Sequence, residues 1–277
     1  MKVVITGAKG QLGQELVKVF DDEHEVTGIY KDDLDITAAG KVKDFISSIK
    51  PDLVIHCAAM TNVDGCEGDP DMAYKVNAFG TQNIAVACQK VDAEMVYVST
   101  DFVFAGDKDE PYIEFDATGP LSVYGKSKLA GENYVRNLLN RYYIVRTAWL
   151  YGEGHNFVRT MLRLAEEKEY LEVVDDQVGT PTCAKELAIT ISKLVGTGLY
   201  GTYHASNNGS CSWYEFARKI FKLKGIDIEV KPITSDKLGR PARRPAYSVM
   251  RNFALESQGI YVMRDWEEAL EEYLEKG

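Results

Sequence analysis

Little in this 277-residue sequence ties the chain together covalently or draws it to a charged surface. Its five cysteines, Cys57, Cys66, Cys88, Cys183 and Cys211, are scattered, and none stands in C-x-x-C spacing. That argues against a disulfide framework or a zinc site and for a reducing compartment. No run of about 18 apolar residues occurs, so no membrane-spanning segment is expected. The opening MKVVITG passes into a strand without a long apolar leader region. Basic residues are outnumbered, 32 against 42 acidic ones, for a formal net charge of −10. Such a chain is a poor candidate for sequence-independent binding to nucleic acid or anionic membrane, and any anionic ligand must meet a local basic cluster. These absences lead us to expect a cytoplasmic protein with neither nucleic-acid nor membrane partners. With 45% hydrophobic and 27% charged residues the composition is that of an ordinary globular protein. The length suffices for one large domain, or one domain plus a smaller lobe.

What is present is alternation. Lys2-Val3-Val4-Ile5-Thr6 is a short β-branched run, as in a strand buried on both faces. Gly7-Ala8-Lys9-Gly10-Gln11-Leu12-Gly13 follows at once, and Leu12, Leu16, Val19 and Phe20 then recur at helical spacing. Strands are expected at 24–30, 53–57, 95–99 and 142–147, and helices around 42–49, 71–90 and 123–139. The stretch 105–121, with Pro111, Pro120 and several acids, reads as a solvated loop. Strands alternating with helices imply an α/β fold: a Rossmann-type, doubly wound parallel sheet spanning residues 1–150. Past Trp149 the pattern loosens, with helices expected at 157–168, 185–195, 213–224 and 264–276 and strands at 201–205 and 228–233. Residues 151–277 are expected to form mainly a smaller C-terminal substrate-binding lobe, with later segments returning to the first domain.

Two features carry chemistry. Gly7, Gly10 and Gly13 stand as G-x-x-G-x-x-G between a strand and an amphipathic helix. A pyrophosphate needs a tight turn, close backbone approach and a helix N-terminus, and this arrangement offers all three. The second strand ends in Tyr30-Lys31-Asp32. Lys31 suits a 2′-phosphate and Asp32 a ribose hydroxyl, so NADPH is expected, with NADH accepted. The second feature is Tyr124-x-x-x-Lys128, which puts a phenol and an ammonium on one helix face. A free tyrosine titrates near pKa ~10, and a neighbouring cation is expected to lower that value toward a usable acid.

The glycine turn, Thr100 at a strand end and the Tyr124/Lys128 pair together resemble the extended short-chain dehydrogenase/reductase superfamily. Ala58-Ala59-Met60-Thr61, Val63-Asp64, Val76-Asn77-Ala78, Ser99-Thr100-Asp101-Phe102-Val103-Phe104 and Arg146-Thr147-Ala148-Trp149-Leu150-Tyr151-Gly152 narrow the likeness. So do Asp176-Gln177-Val178-Gly179-Thr180-Pro181-Thr182 and Arg244-Pro245-Ala246-Tyr247-Ser248. Over essentially its whole length the chain resembles the dTDP-4-dehydrorhamnose reductases. The resemblance implies reduction of a dTDP-4-dehydro-6-deoxy sugar, with Thr100, Tyr124 and Lys128 as catalytic residues. It places Gly7, Gly10, Gln11, Leu12 and Gly13 at the dinucleotide, Asp35 and Ile36 by the adenine, and Ala58, Ala59 and Thr61 along the ribose and pyrophosphate. Tyr124 and Lys128 would also touch the nicotinamide ribose, and Thr100, Asp101 and Trp149 would line the sugar pocket. Phe102 stands where a tyrosine is usual in the family, and Met60 where a histidine is common. Some members bind magnesium through an acidic C-terminal dimer contact. That contact maps onto no particular residues here, and no metal is assigned.

Lys237, Arg240, Arg243 and Arg244 form the densest basic run, suited to a diphosphate through Arg244 or simply to a solvated loop. His56, His155 and His204 lack metal-ligand spacing and are expected in structural roles. Two further functions compete with the reductase. A dehydratase or epimerase of the same superfamily is one, although Asp101 is followed by Phe102 where dehydratases carry an Asp-Glu pair. A non-catalytic subunit like the regulatory partner of methionine adenosyltransferase is the other. The expected assembly is a monomer or a homodimer.

Overall fold

The computed structural model describes residues 1–260 and 263–276. Its central strand is β1 (Lys2–Thr6), whose side chains alternate between two cores. Val3 and Ile5 enter one core and Val4 the other, as the two-residue period of a strand requires. β1 pairs in parallel with β2 (Glu25–Ile29) on one side and β3 (Leu53–His56) on the other. Beyond β3 come β4 (Glu94–Thr100), β5 (Tyr142–Thr147) and the strand Gly201–His204, all parallel. The order across the six strands is therefore Gly201–His204, β5, β4, β3, β1, β2. The order in which successive strands are added reverses at β1, and the crevice that opens there lies beyond the carboxyl ends of the strands.

Helices cover both faces. On one, Leu12, Leu16 and Phe20 of α1 (Gln11–Asp21) pack with Leu187 and Ile191 of the helix Ala184–Leu194. On the other, Val42 and Ile46 of α2 (Ala39–Ile49) meet Ile84, Cys88 and Val135. Each such fully buried aliphatic side chain contributes roughly 1.5–3 kcal/mol. A separate core of Tyr151, Phe216, Ile220, Trp266 and Leu270 joins the helices Phe157–Glu167, Trp213–Lys224 and Trp266–Lys276. The strands Tyr170–Val174 and Glu229–Ile233 pair in parallel beside it. Among the described residues no helix is long and apolar enough to cross a membrane. All five cysteines are free.

Two local expectations fail for physical reasons. The single helix expected at 71–90 is instead the helix Pro70–Tyr74, a wide π-turn Lys75–Gly80 and the helix Thr81–Val91. The widened turn presents Asn77 inward, where its amide accepts from the Met60 amide at 2.8 Å and donates to the Met60 carbonyl at 3.1 Å and to Ser127 Oγ at 3.0 Å. A short helix, Val63–Gly68, precedes it, begun by Asn62 accepting from the Gly65 amide. In the acidic loop Glu114 is not simply solvated, because its Oε1 accepts the backbone amides of His204 and Ala254. The same loop is stitched to the C-terminal residues where Tyr112 and Met250 form a parallel bridge.

Candidate active site

The crevice over β1 and β3 widens into a cavity of about 1320 Å³. One end is the glycine turn. Gly7 adopts φ +71°, and a Cβ there would lie 2.9 Å from the Ala58 nitrogen. A Cβ on Gly13 would lie 2.3 Å from the Gly7 carbonyl oxygen, so α1 can start this close to β1 only without side chains. Gly10 caps α1 and offers no side chain to its first amides, which leaves those N–H groups facing the cavity for an anion. Ala58, Ala59 and Thr61 form the opposite wall, and Lys31, Asp32, Asp35 and Ile36 line the far end. Asp35 is occupied in shaping its own turn, accepting from the Thr37 amide at 2.9 Å and hydroxyl at 2.8 Å. Lys9 lies over the Tyr30 ring, 4.3 Å from its centroid. Backbone donors, a cradle that any Cβ would fill and a basic residue, Lys31, at the far end fit a dinucleotide.

At the other end, the helix Val123–Leu138 brings Tyr124 and Lys128 beside the carboxyl end of β4, where Thr100 and Asp101 sit. Lys128 is 3% exposed; its Nζ donates to the Val98 carbonyl at 2.7 Å and lies over the Tyr97 ring. Burial pushes its ammonium down to about 8, with Glu132 opposing the shift. The expectation that Lys128 lowers the Tyr124 phenol does not hold. Burial raises the phenol above its ordinary value, Thr100 opposes this and Asp101 adds to it. The ammonium is aimed at a carbonyl of β4, so removal of the phenol from water dominates. Phe102 meets the Tyr124 ring edge-on, 5.5 Å between centroids.

Asp101 is 2% exposed, and burial pushes its carboxyl up to about 6 against the Ser248 and Thr100 hydroxyls. Its Oδ1 accepts from Thr100 at 2.9 Å. Its Oδ2, like Thr147 Oγ1 and Gln11 Oε1, is a buried polar atom with no partner of hydrogen-bond geometry among the described residues. All three residues line the cavity, where a polar ligand would satisfy them.

Behind these groups runs a buried polar network that motif spacing did not disclose. Glu132, fully buried, receives Arg146 as a fork, Nε to Oε1 at 2.9 Å and a terminal nitrogen to Oε2 at 2.8 Å. Ser99 donates to it at 2.6 Å and Arg136 at 2.6 Å. Glu132 thus extends the Tyr124, Lys128 ladder by another four residues, and that spacing was the available signal. Asn77, in its wide turn, joins the Met60 loop to Ser127 of the same helix. No local pattern marks it. His56 and His204 are structural, as expected; burial pushes both down to about 3, leaving them neutral. His155 instead lines the cavity.

Trp149 takes the left-handed φ of +44°, unusual for so large a residue. Its indole stacks on Trp213 at 3.5 Å and 8°, and both line the cavity. Gly179 makes room, since a Cβ there would come within 2.5 Å of the Trp149 ring. The basic run divides. Arg244 reaches the cavity wall, Lys237 pairs with Glu172 at 2.5 Å outside it, and Arg240 joins Arg244 on Asp64 at 3.0 Å each. Every residue nominated from the sequence for cofactor, substrate or catalysis borders this one cavity.

A glycine-cradled cleft at the sheet's reversal point, with a tyrosine and a lysine one turn apart at its inner end, defines a short-chain dehydrogenase/reductase. The chain belongs to the family described as RmlD substrate binding domain, matched over residues 1–277. It is 50% identical to a dTDP-4-dehydrorhamnose reductase crystal structure from Clostridium acetobutylicum, with a TM-score of 0.98 over 100% of this chain and 99% of that one. A Bacillus anthracis dTDP-4-dehydrorhamnose reductase solved in complex with NADP is 47% identical, with a TM-score of 0.97 over 100% and 99%. The spore coat polysaccharide biosynthesis protein SpsK of Bacillus subtilis is 43% identical over 99% of this chain and 97% of its own.

Proposed function

We propose that this protein reduces the C4 ketone of dTDP-4-dehydro-β-L-rhamnose to dTDP-L-rhamnose, a donor for cell-surface polysaccharide. NADPH is the preferred reductant with NADH accepted, and the enzyme works in the cytoplasm as a monomer or homodimer. One observation carries the reading: Thr100, Tyr124 and Lys128 converge in the cavity whose other end is the Gly7–Gly13 cradle.

When bound, the reduced nicotinamide supplies the hydride. Gly7, Gly10, Gln11, Leu12 and Gly13 would hold the pyrophosphate, Lys31 the 2′-phosphate, and Asp35 and Ile36 the adenosine side, with Ala58, Ala59 and Thr61 along the ribose and pyrophosphate. Lys128 spends one of its three donors on the Val98 carbonyl and keeps two for ribose hydroxyls. As the sugar C4 becomes tetrahedral, negative charge gathers on its oxygen, and Tyr124 delivers the proton there. A phenol raised by burial stays protonated at neutral pH, as a proton donor must. Thr100 orients the oxygen, Asp101 and Trp149 hold the sugar, and Arg244 meets the diphosphate. Asp101 is followed by Phe102, so the acid pair needed for dehydration is missing.

The test mixes the purified protein with the dTDP-4-keto-6-deoxy sugar and either reduced cofactor and follows loss of absorbance. Turnover with NADPH is expected, and Tyr124→Phe should lower kcat by roughly 10²–10⁴-fold while NADPH still binds. No turnover with either cofactor would overturn the reductase, and a near-normal Tyr124→Phe rate would overturn the proton donor.

A further inference from the structure

The helix Val63–Gly68 directs one acid at Arg244 and another at the start of the helix that carries Tyr124. Asp64 Oδ2 accepts from Arg244 and from Arg240, both at 3.0 Å, while Oδ1 accepts the Ala242 amide at 3.2 Å. One turn later Glu67 Oε1 accepts the amide of Val123 at 2.8 Å. Val123 opens the helix that carries Tyr124 as its second residue. Three-residue spacing sets the two carboxylates on neighbouring sites of one helix surface. The short helix is itself anchored, at its start by Asn62 and at its centre by the fully buried Cys66.

We propose that Asp64 and Glu67 are positioning residues for substrate binding and proton donation respectively. Asp64 sets Arg244 toward the diphosphate of the nucleotide sugar, and Glu67 fixes the first turn of the catalytic helix and with it the Tyr124 phenol. The inference rests on the roles of Arg244 and Tyr124 proposed above.

A solvated ion pair would do neither, being worth ~0–1 kcal/mol. Here the Asp64 and Arg244 side chains are only 20% and 19% exposed. One carboxylate gathers two guanidinium groups and a backbone amide, which fixes the whole turn from Arg240 to Arg244. Arg244 also donates to the Ala242 carbonyl at 2.9 Å, so both terminal nitrogens are held and the remaining N–H groups are free to face an anion. At the other acid, Val123 N–H is one of the amides that helix geometry leaves without an internal partner. Ser122 caps the Gly125 amide of the same turn. Glu67 therefore completes the first turn from outside the helix.

The experiment measures steady-state kinetics and dTDP binding by calorimetry for Asp64→Asn, Glu67→Ala and Glu67→Gln, with Arg244→Ala and Tyr124→Phe beside them. Asp64→Asn should raise the sugar-nucleotide KM and the dTDP Kd about tenfold, the loss of one charge-assisted hydrogen bond, with kcat changed less than about twofold. Glu67→Ala should lower kcat about tenfold and leave dTDP binding alone. Glu67→Gln keeps an accepting oxygen and should recover most of that loss. Melting temperatures establish that each variant is folded, and Asp64→Ser replaces Asp64→Asn should the amide fail to fold.

A merely structural helix would depress both parameters together in both variants, and that result overturns the proposal. So does tighter dTDP binding by Asp64→Asn, which would make Asp64 a neutraliser of Arg244. Silent Asp64→Asn and Glu67→Ala beside impaired Arg244→Ala and Tyr124→Phe likewise overturn it. Unimpaired Arg244→Ala or Tyr124→Phe would instead overturn the role on which the corresponding acid depends.

Discussion

Replacing Glu132 by Gln leaves Arg146 buried without its counter-charge, and the structure sets the size of the effect. Arg146 and Glu132 side chains are 3% and 0% exposed, so water cannot take over the guanidinium. Removing one member of a buried pair costs about 3–5 kcal/mol. Unfolding entropy of about 2.1 cal/mol/K per residue gives about 0.6 kcal/mol/K for this length, so the ligand-free protein should melt about 5–9 °C lower at pH 7. Differential scanning calorimetry reads this directly. The pH dependence supplies a second check. Burial raises the Glu132 carboxyl, but Arg146, Arg136 and Ser99 outweigh it, and the folded value lies below the free one. A group depressed by folding contributes stability above its unfolded pKa and loses it as pH falls. The gap between wild type and Glu132→Gln should therefore be level from about pH 8 to 5.5 and shrink below roughly pH 4.3. Joint replacement by Met at 132 and 146 should recover most of the melting temperature, since packed apolar groups replace buried pairs at little cost. A drop of less than about 2 °C for Glu132→Gln would show that Arg146 is not held by that carboxylate.

Gly13→Ala should weaken NADPH binding at least about tenfold by calorimetry, because the added carbon would lie 2.3 Å from the Gly7 oxygen and displace the turn. At an unconstrained helical site the same change would be favourable by about 1 kcal/mol. Lys128 is pushed down to about 8, and its ammonium form exists below that value. A kcat/KM profile of the free enzyme should hold from neutral pH and fall as pH rises through about 8, and Lys128→Arg should remove that limb if it retains activity. Lys31→Ala should raise the NADPH Kd by roughly fivefold to tenfold while changing NADH little, as expected for loss of one ammonium beside a phosphate.

Much of this architecture is written in local spacing. The β-branched run before Gly7, the stripe of Leu12, Leu16 and Phe20 after it, and the four-residue step from Tyr124 to Lys128 each determine a strand, a helix face or a shared site without help from distant sequence. What spacing could not convey was direction. Lys128 could have faced the phenol, yet β4 places the Val98 carbonyl within 2.7 Å and takes the ammonium. The π-turn at Asn77 looked like the middle of an ordinary helix, because its cause is the Met60 loop, distant in sequence. Trp149 was legible as a residue at a strand end but not as half of a stack, since Trp213 and Gly179 come from other segments. Asp64 and Glu67 belonged to a short helix with too few turns to show a period.

The sixth strand of the sheet has a consequence for how the protein is made. β5 leaves the ribosome with Tyr143 and Val145 bare, because the helix that covers them and the strand Gly201–His204 that closes the edge are encoded later. An open strand edge and an uncovered apolar face are what chaperones recognise and what aggregates grow from. The cofactor cradle, complete in sequence by Gly13, therefore has to wait for the chain to pass His204 before the sheet beneath it is finished. Fragments ending near residue 150 should stay insoluble, and stalled chains should gain protease resistance only after residues 184–204 have cleared the exit tunnel. The glycine turn is thus among the first parts of the chain to be synthesised, and the sheet that supports it among the last to be completed.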